Sequence, residues 1–300
     1  MTTPAMPASF QPDDSSTVTA PNGARARREM FEHTARFERR LWSVTDGVWC
    51  MVGNGLSNQT FVEGPGGLIV IDTGESIQEM GAALEAVREH TDAPIAGVIY
   101  SHFHYVGGTG AVLDAADGAD VPIWSHAKVI ANRSRQAGEV GPISRSGLIH
   151  QFGITLPDDG PDALVGAGIG RAFRNAEHAP WTESFVAPTD TFDAPITIVL
   201  AGLTVEMTPA PSDADDSVTI WFPELGVAVN NLMWPALFNV FAIRGEEYRD
   251  PRVLLTGFDH LLGLGAEHLV GTHGPPISGA DHIEEQVTRS RDAIQFLWDQ

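Results

Sequence analysis

The sequence predicts an α/β (α+β) protein, and three observations predict it. GVWCMVG (47–53), NQTFVEG (58–64) and GLIVIDTG (67–74) are short apolar or alternating runs punctuated by Gly and Asn, the signature of successive strands and hairpin turns. SIQEMGAALEAVREHTD (76–92) then spaces Met80, Leu84 and Val87 at helical intervals, and IAGVIYSH (95–102) reads as a buried strand that ends on a histidine. Beyond residue 190 the same grammar returns. PITIVL, LTVEMTPA, VTIWFP and GVAVNN are strands, and two helical stretches, PRVLLTGFDHLLGLG and ADHIEEQVTRSRDAIQFLWDQ, flank the strand EHLVGTH. Strand, helix, strand order with polar residues at a strand's carboxyl end is where sheets of this class place their sites.

The flanking regions carry weaker patterns. Residues 1–40 are expected to form a disordered or helical N-terminal extension, and residues 41–300 a single domain. The first 24 residues are rich in Pro, Ser, Thr and Asp, whereas ARARREMFEHTARFERRLW (24–42) is charged and helix-forming. The Gly- and Pro-rich stretch 144–185 is expected to be long loops covering one face.

Composition excludes several function classes. With 18 basic and 39 acidic residues the formal charge is −21, which repels nucleic acid and anionic membrane surfaces. Cys50 is the single cysteine, so neither a disulfide framework nor a thiolate zinc site is available, and a reducing cytoplasm is the expected location. No apolar run approaches the roughly 20 residues of a membrane span. No nucleic-acid or membrane partner is expected; the expected partners are a small-molecule substrate and other subunits.

Chemistry concentrates in YSHFHYVGGTG (100–110). Two histidines one residue apart on a turn after a strand can converge on one divalent ion. On its own the pair is weak evidence, since the chain holds 11 histidines. The same order of motifs continues, however, through GLSNQTFVEGPGGLIVIDTGES, VAPTDTF, APSDADDSVTIWFPELGVAV, LFNVFAIRGEEYRD, VGTHGPPISGAD and RSRDAIQFLWDQ. Together these resemble the metallo-β-lactamase superfamily, and more narrowly its alkylsulfatase-like branch, over most of the chain from about Leu41 onward.

The resemblance implies a four-layer αββα sandwich with a one- or two-metal site at one edge. Position by position, it implies that His102 and His104 hold a first ion together with Asp213, an acidic ligand where the superfamily has a third histidine. His273 matches the last histidine, which serves a second ion, and Asn231 stands where a bridging carboxylate is expected. Asp72 matches a strand-end aspartate that orients the metal loop. The family motif His-x-His-x-Asp-His is incomplete: His104-Tyr105-Val106 runs directly into Gly107-Gly108, so the Asp-His pair is lost. Those losses favour one zinc or iron per chain, or none if the altered set holds no ion.

Three further residues are candidates for catalysis. His178 in AEHAPW offers a substitute ligand or proton shuttle. Tyr105 offers a phenol facing the pocket, or simple packing, and Arg244 in AIRGEEYRD offers a guanidinium for an anionic group, or an ion pair with a nearby carboxylate. The expected function is a subunit of a metal-dependent hydrolase that cleaves an ester or an activated aryl ether of a small organic compound with metal-bound hydroxide. The two-subunit hydrolytic O-demethylases of dinitroanisole are one group it resembles. The alternatives are a non-catalytic scaffold pairing with an intact paralogous subunit as a homo- or hetero-oligomer, and an alkylsulfatase-like sulfuric-ester hydrolase.

Overall fold

The computed structural model describes residues 16–235 and 249–300, so the candidate Arg244 lies outside the described residues. The chain enters through a two-stranded antiparallel hairpin, β1 (Thr17–Thr19) and β2 (Arg25–Arg27), followed by α1 (Arg28–Ala35). The expectation of a disordered or helical stretch is corrected for residues 17–27, which form the hairpin, whereas α1 is helical. Asn22-Gly23 turns the hairpin, with Asn22 Oδ1 accepting from Ala24 N at 3.2 Å and Gly23 at φ +88°. That dipeptide is a strong short-range hairpin signal that the Pro- and Ser-rich context obscures. The helix is also shorter than its charged pattern suggests.

Seven strands build the first sheet. β3 (Arg40–Thr45), β4 (Val48–Val52), β5 (Gln59–Gly64) and β6 (Gly67–Ile71) pair antiparallel. Helix α2 (Ile77–Arg88) then crosses to β7 (Ile95–Ile99), α3 (Thr109–Ala115) leads to β8 (Ile123–His126), and α4 (Val129–Ala137) and α5 (Gly141–Phe152) precede β9 (Asp190–Phe192); β6 to β9 run parallel. The second sheet pairs β10 (Ile196–Leu200), β11 (Leu203–Pro209), β12 (Val218–Phe222) and β13 (Val227–Asn230) antiparallel. After α6 (Pro251–Gly263), β14 (His268–Gly271) lies parallel to β13, β15 (Ile277–Ser278) closes the edge and α7 (Ala280–Asp299) ends the chain.

Alternation along the strands sorts side chains into layers. Val48, Cys50 and Val52 of β4 point into a core shared with Val205 and Met207 of β11 and Ile220 and Phe222 of β12, which is the contact between the sheets. Their neighbours Trp49 and Met51 point the other way, onto Met80, Leu84 and Val87 of α2. Ala228 and Leu269 pack under Leu254, Phe258, Val287 and Ile294 of the last two helices. Helix, sheet, sheet, helix is therefore the order, as the sequence predicts. Each large apolar side chain fully enclosed there contributes about 1.5–3 kcal/mol.

Local chemistry fixes where α2 begins, and that start positions the site. Ser76 accepts from Glu79 N at 3.2 Å, and the Glu79 carboxylate accepts in return from Glu75 N at 3.2 Å, a reciprocal cap. The stretch 144–185 is not all loop, because α5 takes its first nine residues; Pro142 opens that helix and left-handed Gly153 ends it. Apolar residues lie around the whole of α5, so no periodic stripe announces it.

Candidate metal centre

The two sheets meet the solvent at a cluster formed from both. His102 and His104 follow β7, the central parallel strand, and Asp213 sits on the turn between β11 and β12. His102 Nε2 lies 3.8 Å and His104 Nδ1 2.7 Å from Asp213 Oδ2. Their ligand atoms all fall within 4.8 Å of one another. Zinc bonds of about 2.0–2.1 Å at tetrahedral angles put donor atoms about 3.3 Å apart, between the two observed separations. Two imidazoles and a carboxylate oxygen at this spacing fit a divalent cation.

The loop is held from below. Asp72, at the end of β6, adopts φ +56°, a conformation disfavoured for a residue with a side chain. It accepts from Ser101 N at 2.8 Å and from Ser101 Oγ at 2.5 Å. Ser101 has one hydroxyl proton, and Asp72 takes it. Ser101 Oγ therefore accepts from His102 Nδ1 at 2.9 Å, which leaves Nε2 as the ligand nitrogen facing Asp213. Burial pushes the Asp72 carboxyl up to about 7, against the pull of its hydrogen bonds from Ser101. Gly107 and Gly108 let the loop close onto the β6–α2 turn. A Cβ at Gly108 would meet Thr73 O at 2.1 Å, and Gly107 N donates to Gly74 O at 2.8 Å.

Asp213 faces two ways. Its Oδ2 addresses the histidines, while Oδ1 accepts from Arg249, a largely buried guanidinium 36 residues away. Both groups lie on the wall of a cavity of about 310 Å³ whose other lining includes Phe103, Val140, Pro211 and Leu254. The candidate metal edge thus opens onto a largely apolar hollow whose wall carries the guanidinium groups of Arg135 and Arg249.

The remaining sequence candidates fall elsewhere around the cluster. His273 donates from Nδ1 to Leu56 O at 2.9 Å, and its Nε2 lies 3.5 Å from the Tyr105 hydroxyl. The buried Tyr105 ring stands among three histidines, with centroids 5.2 Å from His102, 5.9 Å from His104 and 5.4 Å from His273. It separates His273 from the first pair. Asn231 uses both ends of its amide, donating to Ser217 Oγ at 3.3 Å and accepting from Trp234 Nε1 at 3.2 Å. His178 is buried against Asn54, with Nε2 2.9 Å from the Asn54 carbonyl and 3.0 Å from its side-chain oxygen. Among the His, Cys, Asp and Glu side chains of the described residues, the converging set is His102, His104 and Asp213, without His178.

Several polar groups have no local sequence signal. Ser101, Arg249 and Asp216 owe their place to tertiary contacts, although Ser101 beside a candidate ligand could have been questioned. The acids of α2's cap are a fourth case. Burial, reinforced by the neighbouring Glu79, raises the Glu75 carboxyl, and burial raises that of Glu79 as well. Glu79 accepts from Gln59 at 2.8 Å, while Glu75 Oε2 is enclosed with no hydrogen-bond partner among the described residues.

A four-layer sandwich of two mixed sheets, with a His-His-Asp cluster where their strands end, defines an α/β protein with a candidate metal site at one edge. The chain belongs to the metallo-beta-lactamase superfamily, whose family profile matches residues 52–229. It is 34% identical over 245 residues to a linear primary-alkylsulfatase of a Pseudomonas species, covering 80% of this chain and 45% of that protein. It is 28% identical over 272 residues to the alkyl/aryl-sulfatase BDS1 of Saccharomyces cerevisiae, covering 87% and 41%. Among solved structures, the stereoselective inverting sec-alkylsulfatase Pisa1 from Pseudomonas sp. superposes with a TM-score of 0.83 at 24% identity, covering 93% of this chain and 45% of that one. A metallo-beta-lactamase from Pontibacter korlensis superposes with a TM-score of 0.56 at 13% identity, covering 86% and 99%. The chain spans less than half the length of the sulfatases it matches. Among the described residues no helix is long and apolar enough to cross a membrane.

Proposed function

We propose that this chain is a hydrolase with a single-ion centre, acting on sulfuric esters of small organic alcohols or phenols. The convergence of His102 Nε2, His104 Nδ1 and Asp213 Oδ2 carries this reading. A divalent ion there, zinc or iron, would act as a Lewis acid that polarises the ester and makes water a nucleophile near neutral pH. Every other contribution comes from the chain's own groups. Asp72, through Ser101, fixes the His102 tautomer. Arg249 presents positive charge to the anionic head of the substrate, and Phe103, Val140, Pro211 and Leu254 shed water around its organic part.

Tyr105 stands where relatives of the resembled branch would carry a second ion, and its hydroxyl, 3.5 Å from His273 Nε2, offers its proton to the leaving oxygen only by giving up that contact. One ion and one phenol stabilise less charge on a leaving oxygen than two ions do. Substrates with stable leaving groups, such as aryl esters, are therefore favoured. That weakness, with the apolar cavity, also supports a second reading: hydrolysis of an activated aryl ether, including O-demethylation of a nitroaromatic ether. In either reaction the chain acts as a subunit beside a paralogous partner.

Metal content per chain, measured on protein purified alone and with any co-purifying subunit, tests the reading. So does hydrolysis of an aryl sulfate and of dinitroanisole by wild type and by the His102→Ala, His104→Ala double variant. One ion per chain, lost in the variant together with hydrolysis, is expected. No ion, with activity retained by a partner that tolerates the variant, overturns it in favour of a non-catalytic scaffold.

A further inference from the structure

The cavity beside Asp213 carries more positive charge than one anionic head requires. In a chain with 39 acidic and 18 basic residues, Arg135 and Arg249 line the same hollow. Among the described residues, the carboxylates of that wall are each engaged by a cation: Asp213 by Arg249, Asp215 by Lys128 Nζ at 2.7 Å and Asp250 by Arg252 at 2.6 Å. An anionic ligand can therefore enter without meeting an uncompensated carboxylate.

The two arginines hold different places. Arg249 comes just before α6, and its side chain, 9% exposed, is tied to Asp213 at the metal end. Arg135 lies on α4, on the turn after Asn132, whose amide donates to Asp215 Oδ1 at 2.7 Å and so pins the helix to the β11–β12 turn. Arg133, the other arginine of α4, is taken up by Glu183 and by the Phe185 ring, 4.3 Å from its guanidinium carbon. Arg135 Nε lies 3.7 Å from Glu139 Oε2, an i,i+4 pair with side chains 42% and 80% exposed. Such a surface pair is worth little and exchanges readily for another anion. Much of the remaining wall is apolar, from Phe103, Val140, Pro211, Val253 and Leu254. A volume of about 310 Å³ stands at the small end of ligand pockets, enough for one ring or a short chain. A long alkyl chain would reach Asn132, Arg135 and Gln136 and cover their polar groups without supplying a partner.

We infer that Arg135 is a specificity-determining residue, and that the cavity takes small esters whose organic part carries a second anionic group, a carboxylate, against the Arg135 guanidinium. The ester head meets Arg249 and the metal edge, the apolar wall encloses the ring, and Arg135 receives the carboxylate in a charge-assisted pair. The inference rests on the hydrolase reading for the ester and on the cavity alone for the carboxylate.

Terephthalate and para-ethylbenzoate share a ring and one carboxylate and differ in charge at the far end, so calorimetric titration with each isolates the second group. We expect wild type to bind terephthalate roughly tenfold more tightly, with the preference lost in Arg135→Gln and largely kept in Arg135→Lys. The lysine variant separates loss of the cation from loss of the fold. Equal affinities on wild type, no binding of either compound, or a preference that survives Arg135→Gln would overturn the inference. A matching pair of esters, para-carboxyphenyl sulfate and para-ethylphenyl sulfate, carries the test to catalysis. For the first, kcat/KM should fall roughly tenfold in Arg135→Gln, and for the second it should stay at the wild-type value. Hydrolysis of both esters without that difference sinks the inference and leaves the hydrolase reading standing. Hydrolysis of neither, with the preference for terephthalate present, sinks the hydrolase reading and leaves Arg135 as the residue that recognises the carboxylate.

Discussion

Replacing Asp72 with Asn tests the proton count on which the centre depends. The change keeps the shape of the side chain but converts one of two acceptor oxygens into a donor. If the amide oxygen keeps Ser101 N, the NH₂ group confronts Ser101 Oγ, which now gives 2.5 Å away to a carboxylate. The serine hydroxyl must then reverse and donate to His102 Nδ1, at 2.9 Å. A neutral imidazole accepting there carries its proton on Nε2, the nitrogen turned toward Asp213. Metal binding has to expel that proton or break the new bond. Second-layer changes of this kind weaken metal affinity by roughly 10–100-fold, or about 1.4–2.7 kcal/mol. The assay is competition with a chromogenic chelator on Asp72→Asn and wild type, alongside ¹⁵N spectra that report which His102 nitrogen is protonated. Equal affinities, or a His102 ring that keeps its proton on Nδ1 in the variant, would refute the argument that Asp72 sets the tautomer.

Other consequences can be checked on the metal-free protein. Burial raises the Glu79 carboxyl from 4.5 to about 7, so the folded state holds this proton more tightly than the unfolded chain does. That contribution to stability is complete below pH 4.5 and is lost as pH rises through about 7; Glu79→Gln should flatten urea-unfolding stability across this window. Gly108→Ala puts a methyl 2.1 Å from Thr73 O and 2.6 Å from Met80 Cβ, so we expect a loss of roughly 3 kcal/mol in denaturant titrations, with the histidine loop displaced. Cys50 is fully enclosed and its thiol is pushed up to about 12 by burial. A thiol reagent should label it only as fast as the chain unfolds, and rapid labelling of native protein would contradict the packing between the sheets.

The sequence made the architecture readable because the strands obey a two-residue alternation and the helices a three-to-four-residue one. Val48, Cys50 and Val52 against Trp49 and Met51 is such a case: two faces of one strand, sorted into two cores. The histidine pair was legible as a strand-end feature, and the structure brings Asp213 to it. What stayed hidden are pairings with no local pattern. Arg249 meets Asp213 across 36 residues, and Ser101 meets Asp72 across 29. Nothing near His178 in the sequence announces Asn54, 124 residues earlier, which the fold sets against its ring. Tyr105 was visible beside His104, whereas its place among three histidines depends on His273 arriving from β14.

Asn58 ties these halves together without any ligand. Its amide donates to both Gly271 O, at 2.8 Å, and Gly274 O, at 2.7 Å, while its backbone N–H donates to Thr272 O at 2.7 Å. Three bonds from one residue near the start of the first sheet thus clasp the loop that carries His273, more than two hundred residues later. If the proposed ion binds at the neighbouring His102, His104 and Asp213, it meets a His273 loop already fixed by the chain itself. Capture of that ion should proceed at the pace of water leaving the cation rather than of chain rearrangement, and stripping it should leave an open, correctly spaced cradle instead of a collapsed one.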